Sequence, residues 1–135
     1  MKETVVAAGV IFKGGEVLLC KRPSDKPLEA GKWEFPGGKL EPGETAPQAL
    51  RRELTEELNV HADVGRLLDV RLKTYGEKVL LLLFYECRKY EGELRATEHS
   101  QIRFVPADQV LSYDLADADR RAAQTIFSQK EKTDA

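Results

Sequence analysis

The sequence predicts an α/β fold, and three observations carry that reading. Runs rich in β-branched and apolar residues occur at 4–13, 16–22, 67–73 and 78–87. Leu50, Leu54 and Leu58 recur at helical spacing, and a second helical pattern covers 117–127. Such runs read as strands, whereas a repeat every three to four residues reads as a helix with one buried face. At 135 residues the chain is the size of a single domain, expected to span 1–135 with a charged tail from about 128.

The first two strand runs flank Gly14-Gly15, the signature of a hairpin turn. Residues 23–32 shift to Pro, Ser, Asp, Lys and Gly, marking a surface loop long enough to be a binding loop. Trp33 and Phe35 follow, two apart and so on one face if extended. Both core filling and ligand contact are open to them. Gly37-Gly38 reads as a bend where a ligand or metal can approach the main chain.

Thr45 and Gln48 form a capping-box pattern with Pro47 in the first turn, so a helix should start near Ala46. The leucines form its buried stripe, Glu53, Glu56 and Glu57 lie beside them, and Asn59 suits a left-handed stop. Past Gly76, residues 80–84 are almost uninterruptedly apolar, which predicts a central strand covered on both faces. Glu91-Gly92 is a turn, 96–101 a polar loop and 102–105 a short strand. A brief helix from 106 to 110 precedes the last one, after which the tail should fray.

Composition narrows the function. With 41% apolar and 33% charged residues the chain is globular, and a net charge of −2 argues against binding nucleic acid through its phosphates. Lys21-Arg22 and Arg51-Arg52 still allow a local site for a small anion, with Arg22 and Lys39 as candidate phosphate contacts. Cys20 and Cys87 read as free buried thiols, and His61 and His99 as structural or surface groups. The opening MKETVVAAGVIF lacks a signal-peptide pattern, and no segment approaches the ~20 apolar residues of a membrane span. A cytoplasmic protein without membrane contact is expected, as a monomer or homodimer.

The chemistry concentrates in residues 38–60. Glu53, Glu56 and Glu57 share one side of the helix, and Glu44 precedes it. Such a run can be a solvated face. The adjacent apolar stripe and the Gly-Gly main chain favour instead a site for a cation, and carboxylate and carbonyl oxygens suit Mg²⁺ or Mn²⁺. Zinc is disfavoured, because its histidine and cysteine ligands are absent from the stretch.

Gly38, Glu44, the run Arg52-Glu53-Leu54-Thr55-Glu56-Glu57 and Asn59-Val60, at these spacings, resemble the signature box of the Nudix hydrolases. The one departure is Asn59, where the family has glycine. Since asparagine tolerates the left-handed conformation, the departure touches helix termination rather than chemistry. Lys21-Arg22, residues 33–39, Glu98-His99 and the segment YDLADAD at 113–119 further resemble the MutT-like branch, which cleanses nucleotide pools.

The resemblance implies an α/β/α sandwich around a central mixed sheet. It also implies cleavage of nucleoside diphosphate-linked substrates and a need for Mg²⁺ or Mn²⁺. Glu53, Glu56 and Glu57 would hold the metal with the Gly37 carbonyl and Glu98, and Arg52 would orient Glu53. Glu53, then Glu98, is the candidate general base. Glu44 is either a charge at the helix start or a metal contact. Asp119 matches the position that faces the base edge, with an N-cap or surface role as its alternative, and Phe35 would offer a stacking face beside Gly38. The expected substrates are nucleoside triphosphates such as CTP, 5-substituted dCTP or 8-oxo-dGTP. Hydrolysis of ADP-ribose or diadenosine polyphosphates, the latter faintly suggested by Tyr75, and a non-catalytic nucleotide sensor are the alternatives.

Overall fold

A computed structural model describes residues 2–133. Strands β1 (Lys2–Lys13) and β2 (Glu16–Lys21) are joined by a turn in which Gly14 takes φ 62°. Their expected pairing exists only at that turn, Phe12 opposite Val17 and Lys13 opposite Glu16. Beyond it the strands part. β1 runs parallel to β7 (Lys78–Cys87) from Lys2 to Ile11, and β7 pairs in turn with β6 (Leu67–Tyr75). β2 pairs with β9 (Gln101–Pro106) and with the short β3 (Trp33–Glu34).

Into the fork between them runs the chain after β3. Gly9 N–H donates to the Pro36 carbonyl at 2.8 Å, and β4 (Gly37–Lys39) then pairs antiparallel with β1. The expected glycine bend is therefore a strand. At Gly37, φ 151°, a Cβ would lie 2.0 Å from the Ala7 carbonyl oxygen, so β1 occupies the space a side chain would need.

Helix α1 (Ala46–Leu58) forms as its caps dictate. Thr45 and Gln48 make both capping-box bonds, and Asn59 closes the helix in the left-handed region at φ 63°, ψ 34°. Leu50, Leu54 and Leu58 are fully buried, each contributing about 1.5–3 kcal/mol by leaving water. They pack on Ala7, Ile11, Leu18 and Cys20, one set of alternate residues from β1 and β2. The other set, Ala8, Val10, Val17 and Leu19, packs with Ala122 and Ala123 of α2 (Asp117–Thr133) on the opposite face. The result is a mixed sheet between helices, as the resemblance implied.

Several expectations need correction. β7 is central, yet most of its residues are only half-buried. α1 packs on β1, β4 and residues 61–63 and leaves the same face of β6 uncovered, so Val70 and Leu72 are exposed. The brief helix after Pro106 is a 3₁₀ turn, Ala107–Ser112. α2 runs to Thr133, beyond the expected end near Phe127; residues 134–135 lie outside the described part, as does the Tyr75 side chain. Strands β5 (His61–Asp63) and β8 (Lys89–Glu91), paired with each other, were not foreseen, because three residues are too few to show a period. Cys20 and Cys87 are free and buried as expected, and burial pushes the Cys87 thiol up to about 12.

Candidate active site

α1 and β4 build one wall of the site together. The carboxylate of Glu53 rests on the main chain of Gly38, where a Cβ would lie 2.2 Å from Oε2. The room at Gly38 is thus taken by a protein carboxylate. Glu57, on the next turn, is only 6% exposed and accepts the Gly37 N–H at 3.3 Å. Burial pushes its carboxyl up to about 9, helped by the hydrogen-bonded Glu53 and by the charges of Glu98 and Glu34.

Arg52 organises this wall from outside. Its Nη1 donates to Glu53 Oε1 at 2.8 Å, while Nε and Nη2 grip both oxygens of Glu44 at 2.8 and 3.0 Å. Nη2 also donates to the Lys39 carbonyl at 3.1 Å, tying α1 to β4. The Arg52 bonds, with the Glu41 N–H, hold Glu44 down at about 2. Glu44 is therefore the counter-ion of Arg52, which was neither of the roles weighed for it. Glu56 is the outlying member, exposed and held to Arg52 by one 3.4 Å contact.

The loop carrying Glu98 is pinned on both sides of that residue. Thr97 N–H donates to the Glu57 carbonyl at 3.1 Å and its hydroxyl to the Glu56 carbonyl at 2.7 Å, while Ser100 N–H donates to the Lys21 carbonyl at 3.0 Å. Glu98 itself is exposed, and its charge reaches Glu57. Neither anchor carries a sequence signal, since Thr and Ser are ordinary loop residues.

Past β4 lies a cavity of about 230 Å³ whose lining includes Arg22, Phe35, Gly38, Lys39, Lys73 and Asp119. Asp119, 6% exposed on α2, accepts the Phe35 N–H at 2.9 Å. Burial and then the Glu34 charge push its carboxyl up to about 7, against the pull of that N–H. This bond is what its place at the start of α2 serves, rather than an N-cap. Phe35 is 3% exposed and lies edge-on to Phe84 at 6.0 Å between centroids. Its ring is mainly core, reaching the cavity at one margin.

Two lining residues were missed. Lys73, from β6, pairs with Glu29 of the long loop, and burial lowers its pKa. Glu29 also accepts the Asp117 N–H at 2.6 Å, so the loop is fastened to both β6 and α2. Nothing local marks Glu29, whose positive φ of 51° is set by these tertiary contacts.

The donors on the α1 wall are all oxygens, and the protonation of Glu57 registers an excess of negative charge that a cation would offset. A hard divalent ion fits that set. Among the described residues, however, no three acidic, histidine or cysteine groups are already gathered to hold one. Arg52 meanwhile bonds Glu53 firmly and Glu56 by a single long contact.

The NUDIX domain family model matches residues 2–126. The CTP pyrophosphohydrolase of Escherichia coli K12 is 38% identical over 119 residues, 88% of this chain and 87% of that protein. The nucleoside triphosphatase NudI of Enterobacter sp. 638 is 31% identical over 142 aligned positions, 96% of this chain and 98% of its own. Among solved structures, the E. coli ORF135 protein superposes with a TM-score of 0.89 at 34% identity, covering 100% of this chain and 96% of that one. The MutT NUDIX hydrolase from Burkholderia pseudomallei follows at 0.84 and 27%, covering 93% and 99%.

Proposed function

The chain belongs to the NUDIX family, and from that premise we propose that it is a magnesium-dependent nucleoside triphosphate pyrophosphohydrolase. Water attacks a phosphorus of the triphosphate, the adjoining anhydride P–O bond breaks, and a nucleoside monophosphate and pyrophosphate leave. One observation carries this reading. The carboxylates of Glu53 and Glu57 rest on Gly38 and Gly37, and the same two glycines line, across the sheet, the cavity shared by Phe35 and Asp119, which sets a phosphate-cleaving group beside a place for a base. The activities for which the two sequence relatives are named support triphosphates over ADP-ribose or diadenosine polyphosphates.

Glu53, Glu56, Glu57, the Gly37 carbonyl and Glu98 would hold Mg²⁺, with Mn²⁺ as a substitute. When bound, the cation screens the phosphate oxygens and acidifies the attacking water. Glu53 takes the water's proton, because a base must be held within hydrogen-bond reach and Arg52 holds it there. Glu98 is the second candidate, better exposed but less firmly held. Arg22 and Lys39 meet the phosphates, and Asp119 the edge of the base. A cytoplasmic enzyme working alone on the nucleotide pool is the setting this implies, with no nucleic acid or membrane partner. No helix among the described residues is long and apolar enough to cross a membrane.

The test is a panel of CTP, 5-methyl-dCTP, dGTP, 8-oxo-dGTP, ADP-ribose and diadenosine polyphosphates with Mg²⁺, detecting pyrophosphate and phosphate separately. Pyrophosphate from the triphosphates is expected, and a preference for the last two would overturn the reading. Binding without hydrolysis would mark a sensor instead. Glu53→Gln should lower kcat by roughly 10²- to 10⁴-fold; turnover at the wild-type rate would remove Glu53 from the mechanism.

A further inference from the structure

The mechanism leaves His99 without a task, yet its placement is specific. Its side chain is 6% exposed, and Nε2 lies 2.9 Å from Glu34 Oε2, so the imidazole donates there. Nδ1 is buried with no partner. A buried polar ring with one nitrogen unsatisfied is unfavourable unless its other contact matters, which leaves Glu34 as the reason for its position. The two residues reach each other across β2, where Cys20 pairs with Glu34 on one side and Ile102 on the other.

The other oxygen of Glu34, Oε1, accepts from Arg22 Nη1 at 2.9 Å, and Arg22 Nε donates to the Leu28 carbonyl at 3.1 Å. Two of the guanidinium nitrogens are thereby fixed. Its Nη2 and remaining Nη1 hydrogens are left for the cavity that Arg22 lines with Gly38 and Lys39. A fork held this way matches phosphate geometry, and little ordering remains when a ligand arrives.

We propose that His99 is a positioning residue that, through Glu34, fixes the Arg22 guanidinium to receive the polyphosphate of the substrate. The inference rests on the triphosphate reading above. It adds a three-membered array, His99–Glu34–Arg22, that joins the loop bearing Glu98 to the loop at residues 23–32. The array acts on binding of the charged chain and leaves the attacking water alone.

The experiment compares His99→Gln, which keeps an N–H donor at the reach of Nε2, with His99→Leu and with His99→Asn, whose amide is too short. Nucleoside triphosphate hydrolysis and inorganic tripolyphosphate binding by calorimetry are measured for each. Leu and Asn should raise KM and the tripolyphosphate Kd about tenfold, with kcat within twofold of wild type, and Gln should restore both. In an Arg22→Ala background the His99 substitutions should change nothing further. A fall in kcat at unchanged KM, or effects that persist without Arg22, would overturn the proposal. Should Leu fail to fold, Asn against Gln makes the same comparison. If the wild type hydrolysed no triphosphate the functional reading would fall, while tripolyphosphate binding would still decide the array: weaker in Asn upholds it, equal in Asn and Gln sinks it.

Discussion

Glu57 and Asp119 sit on opposite faces of the sheet in matching positions and have opposite surroundings. Each is 6% exposed, and each accepts one main-chain N–H of the segment that leads into the fork, Gly37 for Glu57 and Phe35 for Asp119. α1 and α2 thus grip the same short segment from either side. Burial first, and then Glu53, Glu98 and Glu34 around it, push the Glu57 carboxyl from 4.5 to about 9. Asp119 has Glu34 against it but also Lys73 and a shorter N–H bond, and reaches only about 7. The first environment is one that a cation would relieve. The second leaves a carboxyl poised between donor and acceptor near neutral pH, which suits reading a base edge.

The comparison breaks most sharply at Glu57. Glu57→Gln should lower kcat/KM by about 10³-fold if it holds the metal, without loss of thermal stability, because a crowded buried acid has been removed. Pyrophosphate release and a thermal melt read the two effects separately, and an active variant would reduce Glu57 to a strut for Gly37.

Asp119→Asn keeps an oxygen for Phe35 while abolishing titration. In the wild type the folded carboxyl keeps its proton to about 7, whereas the unfolded one loses it near 3.8. The folded state therefore binds more protons across that window, and stability falls as pH rises through it. The variant should exceed wild type by about 2–4 kcal/mol at pH 8 and lose the advantage toward pH 4. Urea melts at both values check the sign; a constant gap would show that burial does not shift Asp119.

Gly38→Ala sharpens the α1 side alone. Its Cβ would meet Glu53 Oε2 at 2.2 Å, and displacing a catalytic group by about 1 Å costs on the order of 10²-fold in rate. Phe35 and Asp119 lie outside that clash, so the choice among nucleotides should persist while turnover drops. The smallest effect expected is in linkage. Since Glu57 carries a proton below about 9, Mg²⁺ binding should release protons, and affinity should rise by up to about tenfold per pH unit toward that value. Calorimetry in two buffers of different ionisation heat measures the release, and its absence would separate Glu57 from the ion.

Much of α1 was legible because its instructions are local. Thr45, Gln48, the leucine stripe and Asn59 act within a few residues, and each did in the structure what its chemistry predicts. Gly37-Gly38 was misread as a bend because the partner of β4 is β1, about thirty residues earlier. The coverage of β7 was overstated for a related reason, since apolarity in a strand records no information about where a helix will lie. Glu44 carried its charge visibly, but only the fold brings both of its oxygens onto Arg52.

By itself, then, the sequence determined which side chains are available for chemistry and on which helix they ride, because helix periodicity and capping are set by neighbours along the chain. Tertiary structure alone decided how those side chains are charged and aimed. Burial of Glu57 and Asp119 against one strand, the pinning of the Glu98 loop by Thr97 and Ser100, and the reach of His99 across β2 to Glu34 all depend on contacts between distant segments. Desolvation and hydrogen-bond geometry are properties of that arrangement, and they give two similar acids different surroundings.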